Sequence, residues 1–207
     1  MEGLQVFMVS EPKKEDGRGV SVVSARTGEL IWDIGHTTYH VGDGMVADFD
    51  PEYPGLECFA SEDRKGGSTD KYLLTSDGKK LNVTREEVPG CRNWIWWDAD
   101  LLRETFRDNR WGAGSSSNGK KQSIWKWKGE DLTKGIEGDI LMMADMEGDW
   151  REELITALPG ELRIYHTVIP AKDRRITLMQ DPLYRSYVAH RSMGYPQAPV
   201  TSYFLGE

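Results

Sequence analysis

Ala144-Asp145-Met146-Glu147-Gly148-Asp149-Trp150-Arg151-Glu152-Glu153-Leu154 crowds carboxylates around a single glycine and runs straight into an apolar stretch. Related stretches lie upstream. Trp97-Asp98-Ala99-Asp100-Leu101-Leu102-Arg103-Glu104 is one, and Ala47-Asp48-Phe49-Asp50-Pro51-Glu52-Tyr53 is the other; neighbouring members are separated by about 50 residues. A second echo has a similar period. Glu2-Gly3-Leu4-Gln5-Val6-Phe7 reappears as Pro54-Gly55-Leu56-Glu57-Cys58-Phe59, shifted by 52 positions. A repeat of roughly 40–50 residues containing several strands is the mark of a β-propeller blade. The acidic run that precedes the second copy has no counterpart before the first, so the chain is expected to begin within a repeat.

The segments between the acidic runs read as hairpins. Val20–Ala25 leads through Arg26-Thr27-Gly28-Glu29 into Leu30-Ile31-Trp32. Lys71–Thr75 meets Ser76-Asp77-Gly78-Lys79, where Asp-Gly signals a tight turn. Leu154–Leu158 and Glu161–Tyr165 flank Pro159-Gly160. The stretch from Arg110 to Gln122 is rich in Gly, Ser and Lys and is expected to be an exposed loop. Helical periodicity is weak, and Leu101–Phe106 is assigned at most one turn. The predicted fold class is all-β: about four blades of a partial β-propeller, with calcium-binding loops between strands. Residues 1–207 are taken as a single propeller-type domain, half of a larger propeller.

Composition narrows the function. The net charge is −8, which disfavours nucleic acid as a partner, because phosphate binding calls for a basic face. An acidic substrate would be repelled unless cations intervene. No run approaches the roughly 18 apolar residues that cross a bilayer, so no membrane role is expected, and Met1-Glu2-Gly3-Leu4-Gln5 is not a secretion signal. Cys58 and Cys91 fit either a disulfide or two thiols.

Calcium takes six to eight oxygen ligands, and carboxylates at alternating loop positions can point inward together. Asp145, Glu147, Asp149 and Glu153 occupy positions 1, 3, 5 and 9 of such a loop. Asp48, Asp50, Glu52 and Glu57 occupy positions 1, 3, 5 and 10. Asp98, Asp100 and Glu104 stand at 1, 3 and 7, a poorer match. All eleven are expected metal ligands, with Ca2+ as the cofactor.

Five ordered motifs resemble the family 11 polysaccharide lyases, which cut rhamnogalacturonan in pectin. They are Asp48–Glu57, Trp96–Glu104, Gly148–Glu153, Leu178–Arg185 and Gly194–Pro199, and the likeness is to the C-terminal part of such enzymes. It implies an eight-bladed propeller, many bound calcium ions, and secretion by bacteria that feed on plant cell walls. The implied reaction is β-elimination next to galacturonate: a cation neutralises the carboxylate, a base removes the C5 proton, and the glycosidic oxygen leaves.

Two positions depart from that family pattern. The family's Asn-Gly-Thr-Lys, whose lysine is the implied base, corresponds by spacing to Lys134-Gly135-Ile136-Glu137. The family's Gly-Arg-Gly corresponds to Gly42-Asp43-Gly44. The chain therefore looks like a divergent branch. Replacement catalytic candidates are His40, Lys134, Arg185 and Tyr195. His36, Trp97 and Tyr195 are candidate sugar contacts, Tyr195 at a position where the resemblance implies one. The expected partner is an acidic cell-wall polysaccharide, with the chain secreted or periplasmic. The open blade edges are expected to be closed by self-association or by a missing N-terminal half. A non-catalytic, calcium-dependent carbohydrate-binding module is the alternative function, and a purely structural propeller fragment is a third.

Overall fold

A computed structural model describes residues 3–10, 17–63, 69–84, 88, 93–106, 121–193 and 197–206. Within these residues the chain is almost entirely β. Its strands are β1 (Gln5–Val9), β2 (Val20–Ser24), β3 (Leu30–Asp33), β4 (His40–Ala47), β5 (Glu57–Asp63), β6 (Thr69–Thr75), β7 (Trp94–Ile95), β8 (Glu104–Phe106), β9 (Gln122–Trp125), β10 (Asp131–Ile136), β11 (Asp139–Ala144), β12 (Glu153–Leu158) and β13 (Glu161–Tyr165). They form four sheets, each a meander of consecutive strands: β1-β2-β3, β4-β5-β6, β7-β8-β9-β10 and β11-β12-β13. The described pairings are antiparallel. The all-β expectation therefore holds, and the period of about 50 residues seen in the sequence is the period of one sheet.

Turn chemistry sets the registers. β6 turns through Asp77-Gly78 so that Thr75 N–H donates to Lys79 O at 2.8 Å. Gly78 has φ +83°, and a Cβ there would sit 2.8 Å from the Trp32 ring, so glycine is required on both counts. β12 and β13 join through Pro159-Gly160 with Leu158 opposite Glu161.

The chain divides into two compact units. The first comprises residues 1–46 and 53–91, the second 47–52 and 92–207. In the first, alternation on β2 turns Val20 and Val22 inward. The core gathers Val20, Val41, Cys58, Ala60, Tyr72 and Leu74, flanked by Phe7, Val9, Trp32 and Ile34. Cys58 is a buried free thiol, and Cys91 lies outside the described residues. In the second unit, Trp96, Trp150, Leu178, Tyr184 and Leu205 form one cluster. Phe49 packs on Trp94 and Trp127 at ring-centre distances of 4.6 and 5.2 Å.

One local expectation needs correction. Leu101–Phe106 makes no helical turn; residues 104–106 are strand β8, paired with β7 and β9. The one α-helix among the described residues is instead α1 (Pro182–Arg191). Its start has a legible signature: Pro182 stands at the first position, and the Asp181 side chain accepts from Leu183 N–H at 2.9 Å. The loop expected at Arg110–Gln122 falls largely outside the described residues.

Candidate metal centre

Each acidic run occupies the same place in its sheet: it connects the first strand to the second, and the second strand opens on a glutamate. That glutamate is Glu57 on β5, Glu104 on β8 and Glu153 on β12. In the last two cases the carboxylate folds back onto the loop it closes. Glu104 Oε2 accepts Trp97 N–H at 2.9 Å, and Glu153 Oε2 accepts Met146 N–H at 2.7 Å, each from seven residues upstream. The aspartates form tight local turns with backbone N–H groups two or three residues on, as short acidic side chains favour. Asp50 accepts from Glu52, Asp98 from Asp100, Asp100 from Leu102, Asp145 from Gly148, and Asp149 from Arg151.

Beyond this shared frame the loops diverge. Among the described residues, Asp98, Asp100 and Glu104 are the one group whose carboxylate oxygens come within 4.8 Å of one another. Asp98 and Glu104 are buried and Asp100 is half-buried. An oxygen-only set of this kind suits a hard divalent cation. Burial, and then the charge of Asp98, push the Glu104 carboxyl well above its usual value. Asp48 is raised to about 6 by burial and by the charge of Asp100. A cation at this position would favour the ionised form of both.

In the Asp145 loop the carboxylates are engaged elsewhere. Asp145 Oδ2 accepts Leu178 N–H at 2.7 Å, and Glu153 also accepts Glu147 N–H. Asp149 pairs with Arg151, and Glu147 lies 3.3 Å from His166. In the Asp48 loop, Asp50 accepts the Trp127 indole N–H at 2.8 Å. Lys128 Nζ approaches Asp50 and Glu52 at 3.1 and 2.9 Å. Glu57 is buried at the head of β5.

Buried charged residues lock the second unit together. Glu152 is fully buried. Its carboxylate accepts Trp96 N–H at 3.0 Å and the Tyr184 hydroxyl at 2.7 Å, with Arg103 Nη2 3.6 Å away. The Arg103 guanidinium in turn lies 3.6 Å from the centre of the Trp96 ring. Arg191, also buried, donates to Leu141 O, Gln197 O and Asn93 Oδ1. Arg103, Glu152 and Tyr184 lie within the motifs Trp96–Glu104, Gly148–Glu153 and Leu178–Arg185, but nothing in their spacing announces that they meet.

These geometries meet a direct comparison. The family profile "Rhamnogalacturonan lyase family 11, C-terminal domain" matches residues 1–207. The chain belongs to this family. It is 39% identical over 208 residues to the rhamnogalacturonan endolyase YesW of Bacillus subtilis (strain 168), covering 99% of this chain and 31% of that protein. It is 35% identical over 217 residues to the rhamnogalacturonan exolyase YesX of the same strain, covering 99% and 34%. The crystal structure of YesX superposes with a TM-score of 0.78 at 33% identity, covering 100% of this chain and 35% of that one. A Bacillus licheniformis rhamnogalacturonan lyase superposes with a TM-score of 0.72 at 34% identity, covering 100% and 34%. The chain thus spans about a third of the length of these relatives.

In the first unit, His36 has both ring nitrogens occupied, Nδ1 3.1 Å from Ile34 O and Nε2 3.2 Å from the Tyr72 hydroxyl. That hydroxyl donates to the buried Glu62. His40 is exposed on β4, with its ring lying over Gly42. In the second unit, Lys134 is exposed on β10 and pairs with Asp131 at 3.2 Å. Arg185 donates to Met179 O and Gln180 O, closing the short turn before α1. Trp97 is only 2% exposed and its indole N–H donates to Thr133, so its ring belongs to the core and presents no face to a sugar. Tyr195 lies outside the described residues. Glu137, at the position where a lysine was expected, pairs with Lys121 at 2.8 Å and with Arg163, and these two hold its carboxyl below the usual range.

Proposed function

We propose that this chain acts on rhamnogalacturonan as the C-terminal part of a family 11 lyase, breaking the uronate linkage by β-elimination. The observation that carries this reading is the family match along all 207 residues. In the reaction, the C5–H proton passes to a base, its electrons form the C4–C5 double bond, and the C4–O bond breaks as the glycosidic oxygen leaves. His40, Lys134, Arg185 and Tyr195 are the candidates for proton handling and carboxylate contact. Asp98, Asp100 and Glu104 would hold a calcium ion. When bound, that ion supplies positive charge to an acidic protein meeting an acidic polymer. The four meander sheets are read as blades of a propeller, closed by a second copy or by the further length the relatives possess. A plant cell-wall substrate supports a secreted or periplasmic location. No helix among the described residues is long and apolar enough to cross a membrane.

One observation favours binding without cleavage as a second reading. Glu137 is clamped by Lys121 and Arg163 where the family resemblance implies the base. The test is incubation of the protein with rhamnogalacturonan, with calcium and with chelator, following the ultraviolet absorbance of the unsaturated uronate product. Rising absorbance supports the lyase. Retardation in a rhamnogalacturonan affinity gel without rising absorbance supports binding alone. Neither response refutes both. Light scattering that finds a stable monomer would remove the second copy as the closing element.

A further inference from the structure

The turn joining β9 to β10 serves two acidic loops at once. It reads Lys126-Trp127-Lys128-Gly129-Glu130, and backbone bonds from Lys126 N–H to Glu130 O and from Gly129 N–H to Lys126 O, both 3.0 Å, hold it closed. Trp127 anchors it, 7% exposed against Phe49 with its indole N–H on Asp50. From this fixed base the two flanking lysines diverge. Lys128 reaches Asp50 and Glu52. Lys126 reaches the convergent cluster: its Nζ is 2.6 Å from Asp98 Oδ2 and hydrogen-bonds Asp100 Oδ2 as well. Asp98 Oδ1 and Asp100 Oδ1 serve the loop's own backbone, so the ammonium takes the second oxygen of each aspartate. The ammonium therefore occupies two of the three carboxylates that a cation at this cluster would have to share.

We propose that Lys126 is a built-in competitor for the metal at Asp98, Asp100 and Glu104. Its ammonium neutralises the loop when no divalent ion is bound, and it must leave the aspartates before such an ion can enter. This rests on the metal reading above and adds a control to it. Two like charges about 4 Å apart repel by roughly 4 kcal/mol at an effective dielectric of 20, so the bare cluster needs a cation of some kind. An ammonium brings one charge and three donors. Calcium brings two charges and demands six to eight oxygens. The lysine side chain is 32% exposed, which gives it a route into solvent when displaced. The fold of the loop then survives without metal, and binding is weakened by the cost of moving the lysine.

The test compares the wild-type chain with Lys126→Met, Lys126→Arg and Asp98→Asn, by calorimetric titration with calcium and by thermal melting in calcium and in chelator. Lys126→Met should bind calcium at least about tenfold more tightly, a shift that one unit charge at this range readily supplies. It should melt below wild type in chelator and recover in calcium, while Lys126→Arg tracks wild type. If Lys126→Met folds only in calcium, recovery of native circular dichroism on adding calcium supports the proposal, and failure to recover overturns it. Unchanged or weaker binding by Lys126→Met also overturns it. If binding is lost in Asp98→Asn yet indifferent to Lys126→Met, the metal reading stands and the competitor falls. If neither wild type nor Lys126→Met binds calcium, both fall.

Discussion

Replacing Glu152 with glutamine should cost the second unit much of its stability. The substitution keeps the volume and removes the charge. It leaves the Arg103 guanidinium, 2% exposed, without its counter-ion. It also turns one carboxylate oxygen into an amide NH2 donor that must face either the Trp96 N–H or the Tyr184 hydroxyl, both of which now donate to Glu152. Breaking a buried ion pair from one side typically costs about 3–5 kcal/mol. A stranded buried donor adds roughly 1–3 kcal/mol. Arg103 keeps Pro199 O and the Trp96 ring as partners, which places the sum toward the lower end, about 4 kcal/mol. For a chain of this size that is a fall in melting temperature of roughly 10 °C. Urea unfolding followed by tryptophan fluorescence reads this unit well, because every tryptophan except Trp32 lies in it. Arg103→Met should be less damaging in the Glu152→Gln background than alone, because the charge it removes has already lost its partner. A Glu152→Gln protein within about 0.5 kcal/mol of wild type, the range of ordinary surface changes, would refute the reasoning.

Three other outcomes follow from single contacts. Asp181→Ala removes the cap of α1 and the acceptor for Ser202 N–H, and should lower stability by about 1–2 kcal/mol in urea melts. Gly78→Ala should destabilise the β6 turn by more than about 1 kcal/mol, because a side chain there meets both a positive φ and the Trp32 ring; a neutral result would show that the turn relaxes freely. Cys58 should be silent to thiol reagents in the native protein. Burial, and then the charge of Glu57, raise its thiol to about 12 from 9.0. Above pH 9 the unfolded chain loses this proton first and so binds fewer protons than the fold. Its contribution to stability therefore falls as pH rises from 9 toward 12, by up to roughly 1.4 kcal/mol per unit. Ellman titration and urea melts of a Cys91→Ser variant across this range check both statements.

The hairpins were legible because glycine and proline act locally: Gly28, Gly78 and Gly160 sit at turns whose backbone only they adopt without strain. The repeat was legible because each acidic loop has the same job, joining the first two strands of its sheet. Which loop gathers its carboxylates was not legible. Spacing favoured Asp145, yet its carboxylates are drawn to Leu178 N–H, a partner fixed by tertiary packing, and to Arg151, a local partner two residues from Asp149. Asp98, Asp100 and Glu104 converge because β8 starts on Glu104 directly opposite β7, folding the loop onto itself. Lys126 follows directly on β9, the strand paired with β8, where Trp125 stands opposite Thr105, and nothing within either segment announces the pairing. Helix α1 has few buried residues, among them Tyr184 and Arg191, so its apolar periodicity is faint and only its Asp-Pro start marks it.

The three loops share one backbone design and neutralise their acids in three ways. The Asp145 loop uses backbone N–H groups and an arginine, the Asp48 loop a lysine and an indole, and the Asp98 loop a lysine that reaches two aspartates. The Asp98 cluster is formally −3, and −2 with Lys126 seated. Replacing the lysine by a calcium ion brings it to −1 and turns the freed ammonium toward solvent. Both changes favour the approach of a polyuronate to a protein whose net charge is −8. Metal entry at this loop would therefore alter the surface a pectic chain meets even if the ion never touches the sugar. Affinity for rhamnogalacturonan should then rise with calcium in wild type and lose part of that dependence in Lys126→Met, which has no ammonium to release. Equal calcium dependence in the two proteins would place the ion's contribution to binding somewhere other than this loop.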